Sequence, residues 1–166
     1  MASVWTQIGS DIDAEASYVS SVSLSADGSV IAIRAFYNGH VLIYQNVGGV
    51  WTQVGNDIAA EVALDREGYS VSLSPDGSVV AFGVLEFINN DKYYCGHVRI
   101  YRNVNGTWIK IGDDIAGEAA LDRSGYSVSL SSDGSIVAIG ATDNDGNAEN
   151  SGHVRIYQNV NDTWIK

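Results

Sequence analysis

Cysteine and basic side chains are scarce in this sequence, and no long apolar run occurs in it. The single cysteine, Cys95, excludes an intramolecular disulfide framework and a cysteine-based zinc knuckle, and no partner residue marks it as a nucleophile. Nine Lys and Arg stand against 20 Asp and Glu, a formal net charge of -11. Nucleic acid is therefore not expected as a partner, because neutralising phosphates takes clustered cations. An anionic membrane surface is disfavoured for the same reason. No stretch approaches the roughly 18 consecutive apolar residues of a membrane span, so no membrane insertion is expected. The N-terminus has neither the basic region nor the apolar core of a signal peptide, which points to a cytosolic chain or to one whose leader has been removed. Catalytic signatures are missing too: there is no Ser-His-Asp order, phosphate loop or HExxH. The scattered carboxylates could form a glycosidase pair in space, but no spacing selects one.

What the sequence does have is repetition, and repetition decides the fold. Tryptophans fall at 5, 51, 108 and 164; Asp-Gly-Ser begins at Asp27, Asp76 and Asp133; Gly-His-Val begins at Gly39, Gly96 and Gly152. Within each copy the apolar period is two. In residues 69–74, Val71 and Leu73 share one face while Ser70, Ser72 and Ser74 share the other, as in a strand. Asp-Gly-Ser supplies turn chemistry. The next run, 79–84, is apolar on both faces, as a strand between two sheets should be. Third and fourth strands follow at 97–101 and 107–112, separated by Asn105-Gly106. No stretch has sustained helical periodicity. The alanine-rich segments 57–64 and 114–121 are linkers, with room for a single helical turn. The layout is one all-β domain: a lone strand at about 4–12, then four-stranded antiparallel meanders at about 17–58, 65–115 and 122–166. The first copy is shorter because its middle loop shrinks to residues 36–38, and loops absorb deletions where strands do not.

A β-propeller, a β-trefoil and a β-prism can each be built from such a unit. The doubly apolar second strand, and a fourth-strand Trp followed by Gly and a linker, favour a propeller-type array of three blades. The motifs Gly-Tyr-Ser-Val-Ser-Leu-Ser (125–131), Val-Ala-Ile-Gly-Ala (137–141), Ser-Gly-His-Val-Arg-Ile-Tyr (151–157) and the closing Trp164 resemble the FG-GAP repeat of integrin-α-like β-propellers. The second copy matches nearly as well and the first in part, although Glu67-Gly68 and Ser124-Gly125 stand where that family often has Phe-Gly. The resemblance implies the fold and is nearly silent on activity. Three blades form an open arc with an apolar face at each end, which calls for a cover: a further stretch of a longer chain, a second copy pairing into a six-bladed ring, or another protein. The expected function is a non-catalytic module for protein–protein interaction or assembly. Its partner is itself, most simply as a homodimer, or another protein. The runner-up is a lectin-like module binding a glycan, with an enzyme third.

Individual residues are weighed on the same pattern. Asp143, Asp145, Asn147 and Glu149 place oxygen ligands at every second residue around Gly146, a spacing that suits calcium and equally a solvated acidic turn. Calcium in Asp-rich loops is also what the resemblance implies. His40, His97 and His153 open equivalent strands and are expected to make structural hydrogen bonds. Asp65-Arg66 and Asp122-Arg123 should tie a linker to its neighbour. The repeated Trp and Tyr residues are expected to pack. Phe36, Tyr37, Phe87, Ile88, Tyr93 and Tyr94 are not required by the repeat, lie in loops, and are the candidate protein-binding residues.

Overall fold

The computed structural model describes residues 4–13, 18–35, 39–59, 69–85 and 95–166. Their strands form three separate antiparallel meanders. Blade 1 comprises β1 (Val19–Leu24), β2 (Val30–Ala35), β3 (Val41–Val47) and β4 (Val50–Gln53). Blade 2 comprises β5 (Val71–Leu73), β6 (Val79–Val84), β7 (His97–Val104) and β8 (Thr107–Lys110), with a short β9 (Ile115–Ala116). Blade 3 comprises β10 (Ser124–Leu130), β11 (Ile136–Ala141), β12 (His153–Val160) and β13 (Thr163–Ile165). Among the described residues there is no helix, and therefore no helix long and apolar enough to cross a membrane.

Two turns per blade set the strand register. Between the first and second strands, Asp27 accepts from the Ser25 hydroxyl at 2.7 Å and from the Ser29 amide at 2.9 Å, and the Ser25 hydroxyl accepts from the Val30 amide at 2.9 Å. The same network recurs at Asp76 and Asp133. Between the third and fourth strands both central residues have positive φ: Gly48 and Gly49, Asn105 and Gly106, Asn161 and Asp162. Those are the dihedrals of a two-residue hairpin whose twist matches its strands.

The Asp turns make the fold sensitive to acid. Backbone and side-chain donation from Ser29, with the Ser25 hydroxyl, lowers the Asp27 carboxyl to about 2. Ser131 and Ser135 do the same for Asp133, and Ser74 leads the lowering at Asp76. A carboxyl lowered by folding favours the native state above its unfolded pKa, and that contribution disappears as pH falls through the folded value. The melting temperature should therefore hold steady above about pH 4 and fall between pH 4 and pH 2. The triple substitution Asp27→Asn, Asp76→Asn, Asp133→Asn should flatten that slope in circular-dichroism melts. An unchanged slope would show that these turns do not carry it.

Two apolar clusters fill the gaps between blades. Ala32, Val41, Ile43 and Ile58 of blade 1 pack against Val71, Leu73, Val80, Phe82 and Val84 of blade 2. Val79, Ala81, Val98, Ile100, Ile111 and Ile115 of blade 2 pack against Val137 and Ile139 of blade 3. Each blade thus has a forward face, carried by alternate residues of its second and third strands, and a backward face, carried by its first two strands. A trefoil or prism would gather three repeats around one shared core. Two successive cores that share no residue make this a β-propeller-type array.

Two parts of the strand layout differ from the sequence reading. Residues 4–13 form no strand, although 4–12 reads as one, because the fourth strand of a blade pairs with its own third strand and this segment has none beside it. The linkers are not passive either. Ile115 and Ala116 pair with Val98 and His97 of β7, and Ile58 bridges Val41, so the start of each linker adds a rung to the blade just completed.

Candidate functional site: the open blade faces and the seams

The two internal seams are built from the same three devices. The first is a serine ladder along the first strands. The Ser21 and Ser23 hydroxyls accept from the Val71 and Leu73 amides at 3.3 and 2.9 Å, and the Ser72 hydroxyl accepts from the Leu130 amide at 3.0 Å. The second is a tryptophan staple. Trp108 Nε1 donates to the Val54 carbonyl at 2.9 Å and Trp164 Nε1 to the Ile111 carbonyl at 3.0 Å, each reaching back to the preceding blade. Trp51 reaches back in the same way to the Ile8 carbonyl at 2.9 Å, which anchors the N-terminal segment to blade 1. The third is a histidine–aspartate latch between the third strand and the linker. His40 Nδ1 lies 3.2 Å from Asp57 Oδ2, and His97 Nε2 lies 3.4 Å from Asp114 Oδ2. Arg99 Nε also donates to Asp114, at 3.0 Å, and Lys110 pairs with it. Burial by itself raises the Asp114 carboxyl, but Lys110, Arg99 and His97 together hold it below the usual range.

A cleft lies beneath each of the Trp108 and Trp164 staples. One of about 520 Å³ is lined by Asp113, Asp114, Tyr157 and Trp164, and its counterpart of about 400 Å³ by Asn56, Asp57, Tyr101 and Trp108. Carboxylates, an amide and aromatic rings around an open groove could hold a polyhydroxylated ligand by hydrogen bonds and ring stacking.

The outer faces lack what the seams have. Val154 is 68% exposed and Ile156 61%, while their equivalents Val98 and Ile100 are buried in the second seam. Val22 and Leu24 are 57% and 55% exposed, while Val71 and Leu73 are buried in the first. The Ser127 and Ser129 positions are exposed at the end of the serine ladder. His153 has no aspartate latch among the described residues, and Arg155 pairs instead with Glu118. Asp11, equivalent to Asp57 and Asp114, accepts from Gln7 at 2.7 Å but meets no histidine among the described residues. The sequence reading passed over these residues because it treated repeated positions as packing. The signal was there: a repeated position is packing only where a neighbouring blade exists to pack on.

The other candidates are distributed as follows. Phe36, Tyr37, Phe87, Ile88, Tyr93 and Tyr94 lie outside the described residues, as do Asp65 and Arg66. Asp122 is buried and accepts from the Asn144 amide at 2.8 Å and the Ala119 backbone at 3.2 Å, while Arg123 Nε lies 3.1 Å from Asp143. The Asp-Arg pair therefore ties the linker to a loop of its own blade. Asp143 faces Arg123, Asp145 accepts from the Asn150 amide at 2.6 Å, and Asn147 and Glu149 are exposed. Among the described residues no three His, Cys, Asp or Glu side chains are gathered to hold a metal.

No protein-family model and no curated protein sequence matches the chain. Solved structures do. A candidate 6-phosphogluconolactonase from Bacteroides uniformis aligns with a TM-score of 0.60 at 16% identity, covering 87% of this chain and 37% of that one. One from Bacteroides fragilis gives 0.60 at 15% identity, over 87% and 36%. An ancestral GH74 enzyme gives 0.51 at 18% identity, over 89% and 19%. The fold is a three-bladed β-propeller arc. It spans little more than a third of the length of the lactonase-named proteins, and at these identities the likeness is one of fold alone.

Proposed function

We propose that this chain is a non-catalytic β-propeller repeat module of the FG-GAP type that works through protein–protein contact. The observation that supports the reading best is the pair of open end faces, each apolar at the positions that are buried in the internal seams. Against stacking platforms for sugar, Trp108 and Trp164 each pack on a seam core and bond the preceding blade, while Trp51 bonds the N-terminal segment. Loop residues that the repeat does not need, Phe87, Ile88 and Tyr94 among them, supply further contact positions. A lectin-like reading draws on the paired clefts at Asp57 and Asp114.

A direct comparison separates the two. The purified chain is applied to a glycan array and, in parallel, used as bait for binding proteins. The interaction reading expects no glycan retained and a bound protein whose retention drops at least about tenfold with Phe87→Ala, Ile88→Ala, Tyr94→Ala. Glycan retention abolished by Asp113→Ala, Asp114→Ala in a chain that still folds would replace it with the lectin reading.

A further inference from the structure

The two open faces are not merely apolar. They are the two halves of a seam that the chain builds twice internally. We infer that a second copy of this chain supplies the missing half, so that blade 3 of each copy docks on blade 1 of the other and closes a six-bladed ring. The inference rests on the interaction reading and names its partner.

Continuity with the internal seams identifies the occupant. In the second seam Val98 and Ile100 cover Val128, Leu130, Val137 and Ile139. Val154 and Ile156 repeat that forward pair, and Val22 and Leu24 repeat the backward pair. The serine ladder continues in register. Ser127 and Ser129 correspond to Ser21 and Ser23, which accept from Val71 and Leu73 amides, so they would accept from Val22 and Leu24 of the second copy. The latch supplies the charge complement. Asp57 and Asp114 reach the histidine of the blade before the linker; Asp11 is the same residue one repeat earlier, already carried on blade 1 by the Trp51–Ile8 bond, and His153 waits on the other copy. In the same register Ile12 would pair with Val154, as Ile58 does with Val41 and Ile115 with Val98.

Two copies suffice to close the ring. Propellers close with about 4–8 blades. Two copies of these three blades reach that range, and the two seams are then related by a two-fold axis through the centre of the ring. A head-to-tail contact that closes in this way does not run on into a filament. The net charge of -11 per copy opposes the approach, so association should tighten with added salt.

Two measurements test the proposal. Light scattering coupled to size exclusion should give twice the 17.7 kDa chain mass at micromolar concentration. Ile156→Asp and Leu24→Asp, both at positions exposed in the single chain, should each yield a folded monomer and raise the dissociation constant at least about 100-fold. For the register, Ile12→Cys and Val154→Cys are made separately in a Cys95→Ser background, mixed and gently oxidised. A covalent heterodimer should form in the mixture and far less of any dimer from either variant alone, because only facing Cα partners meet disulfide geometry. A wild-type monomer at 100 micromolar protein, a dimer indifferent to both face variants, or cross-links no richer in the mixture would overturn the proposal. A monomer that still binds another protein through its loops would overturn it while leaving the interaction reading standing.

Discussion

Gly83→Ala is expected to destabilise the chain by at least about 3 kcal/mol, the upper end of what overpacking costs. Gly83 lies in β6 opposite Val98, and its φ is not in the left-handed region, so alanine strains nothing locally. The obstruction comes from the next blade. A Cβ there would sit 1.8 Å from the Gly125 carbonyl oxygen and 2.7 Å from its carbon. Backbone cannot rotate aside as a side-chain tip can, and Ser70, which donates to the Gly125 carbonyl at 2.8 Å, fixes that carbonyl in place. Relief would require blade 3 to back away from blade 2, opening the cluster around Val98 and Ile139. Gly140 is the matched control. It holds the same position in blade 3, where a Cβ would meet only the Ser127 hydroxyl of its own blade, at 2.3 Å. That hydroxyl can turn away, so Gly140→Ala should cost the single chain under about 1 kcal/mol. Urea unfolding of both variants under conditions where the chain is monomeric checks the contrast. Equal losses would mean that the glycines matter for backbone freedom and not for blade spacing.

The same pair of glycines shows how far the sequence could be read. Blade count, strand order and turn positions were legible because period-two alternation and Asp-Gly or Asn-Gly turns are local signals, repeated in register. The second strand, 79–84, read as buried on both faces and is buried at every position. Contacts between blades were not legible in the same way. That Ser72 bonds the Leu130 amide, or that Gly125 leaves no room above Gly83, depends on how two sheets approach, and no spacing within one copy encodes it. Residues 4–13 illustrate the limit from the other side. Their Trp-Thr-Gln-Ile-Gly text matches a fourth strand, yet a strand exists only where a ladder partner lies alongside. The acidic loop had the residue types of a cation site; that Arg123, two strands earlier in the chain, pairs with its Asp143 was not readable from the spacing. As for the candidate surface, the pattern announced that an open arc needs a cover. Which atoms are open became plain only when Val154 and Val98 could be compared in burial.

Trp108→Ala should cost about 2–4 kcal/mol, a little below a fully buried tryptophan because the ring is only partly buried. The ring packs on the first seam's core while its Nε1 donates to the Val54 carbonyl across the blade boundary. Its edge closes on Gly55, where a Cβ would sit 2.4 Å from the Gly106 carbonyl and 3.3 Å from Trp108 Cδ1. Truncation therefore removes apolar contact and leaves the Val54 carbonyl to find another donor. Trp108→Phe divides the two contributions. It keeps most of the contact and loses the bond, so it should cost about 1 kcal/mol from the bond plus a smaller packing loss. Trp5→Ala supplies the baseline. The same residue type in the same motif is 96% exposed, with no blade behind it to staple, and its loss should fall within about 0.5 kcal/mol. Chemical denaturation of the three variants ranks them. Were Trp5→Ala as damaging as Trp108→Ala, the tryptophans would be serving their own strands, and the idea that they hold one blade to the next would fail.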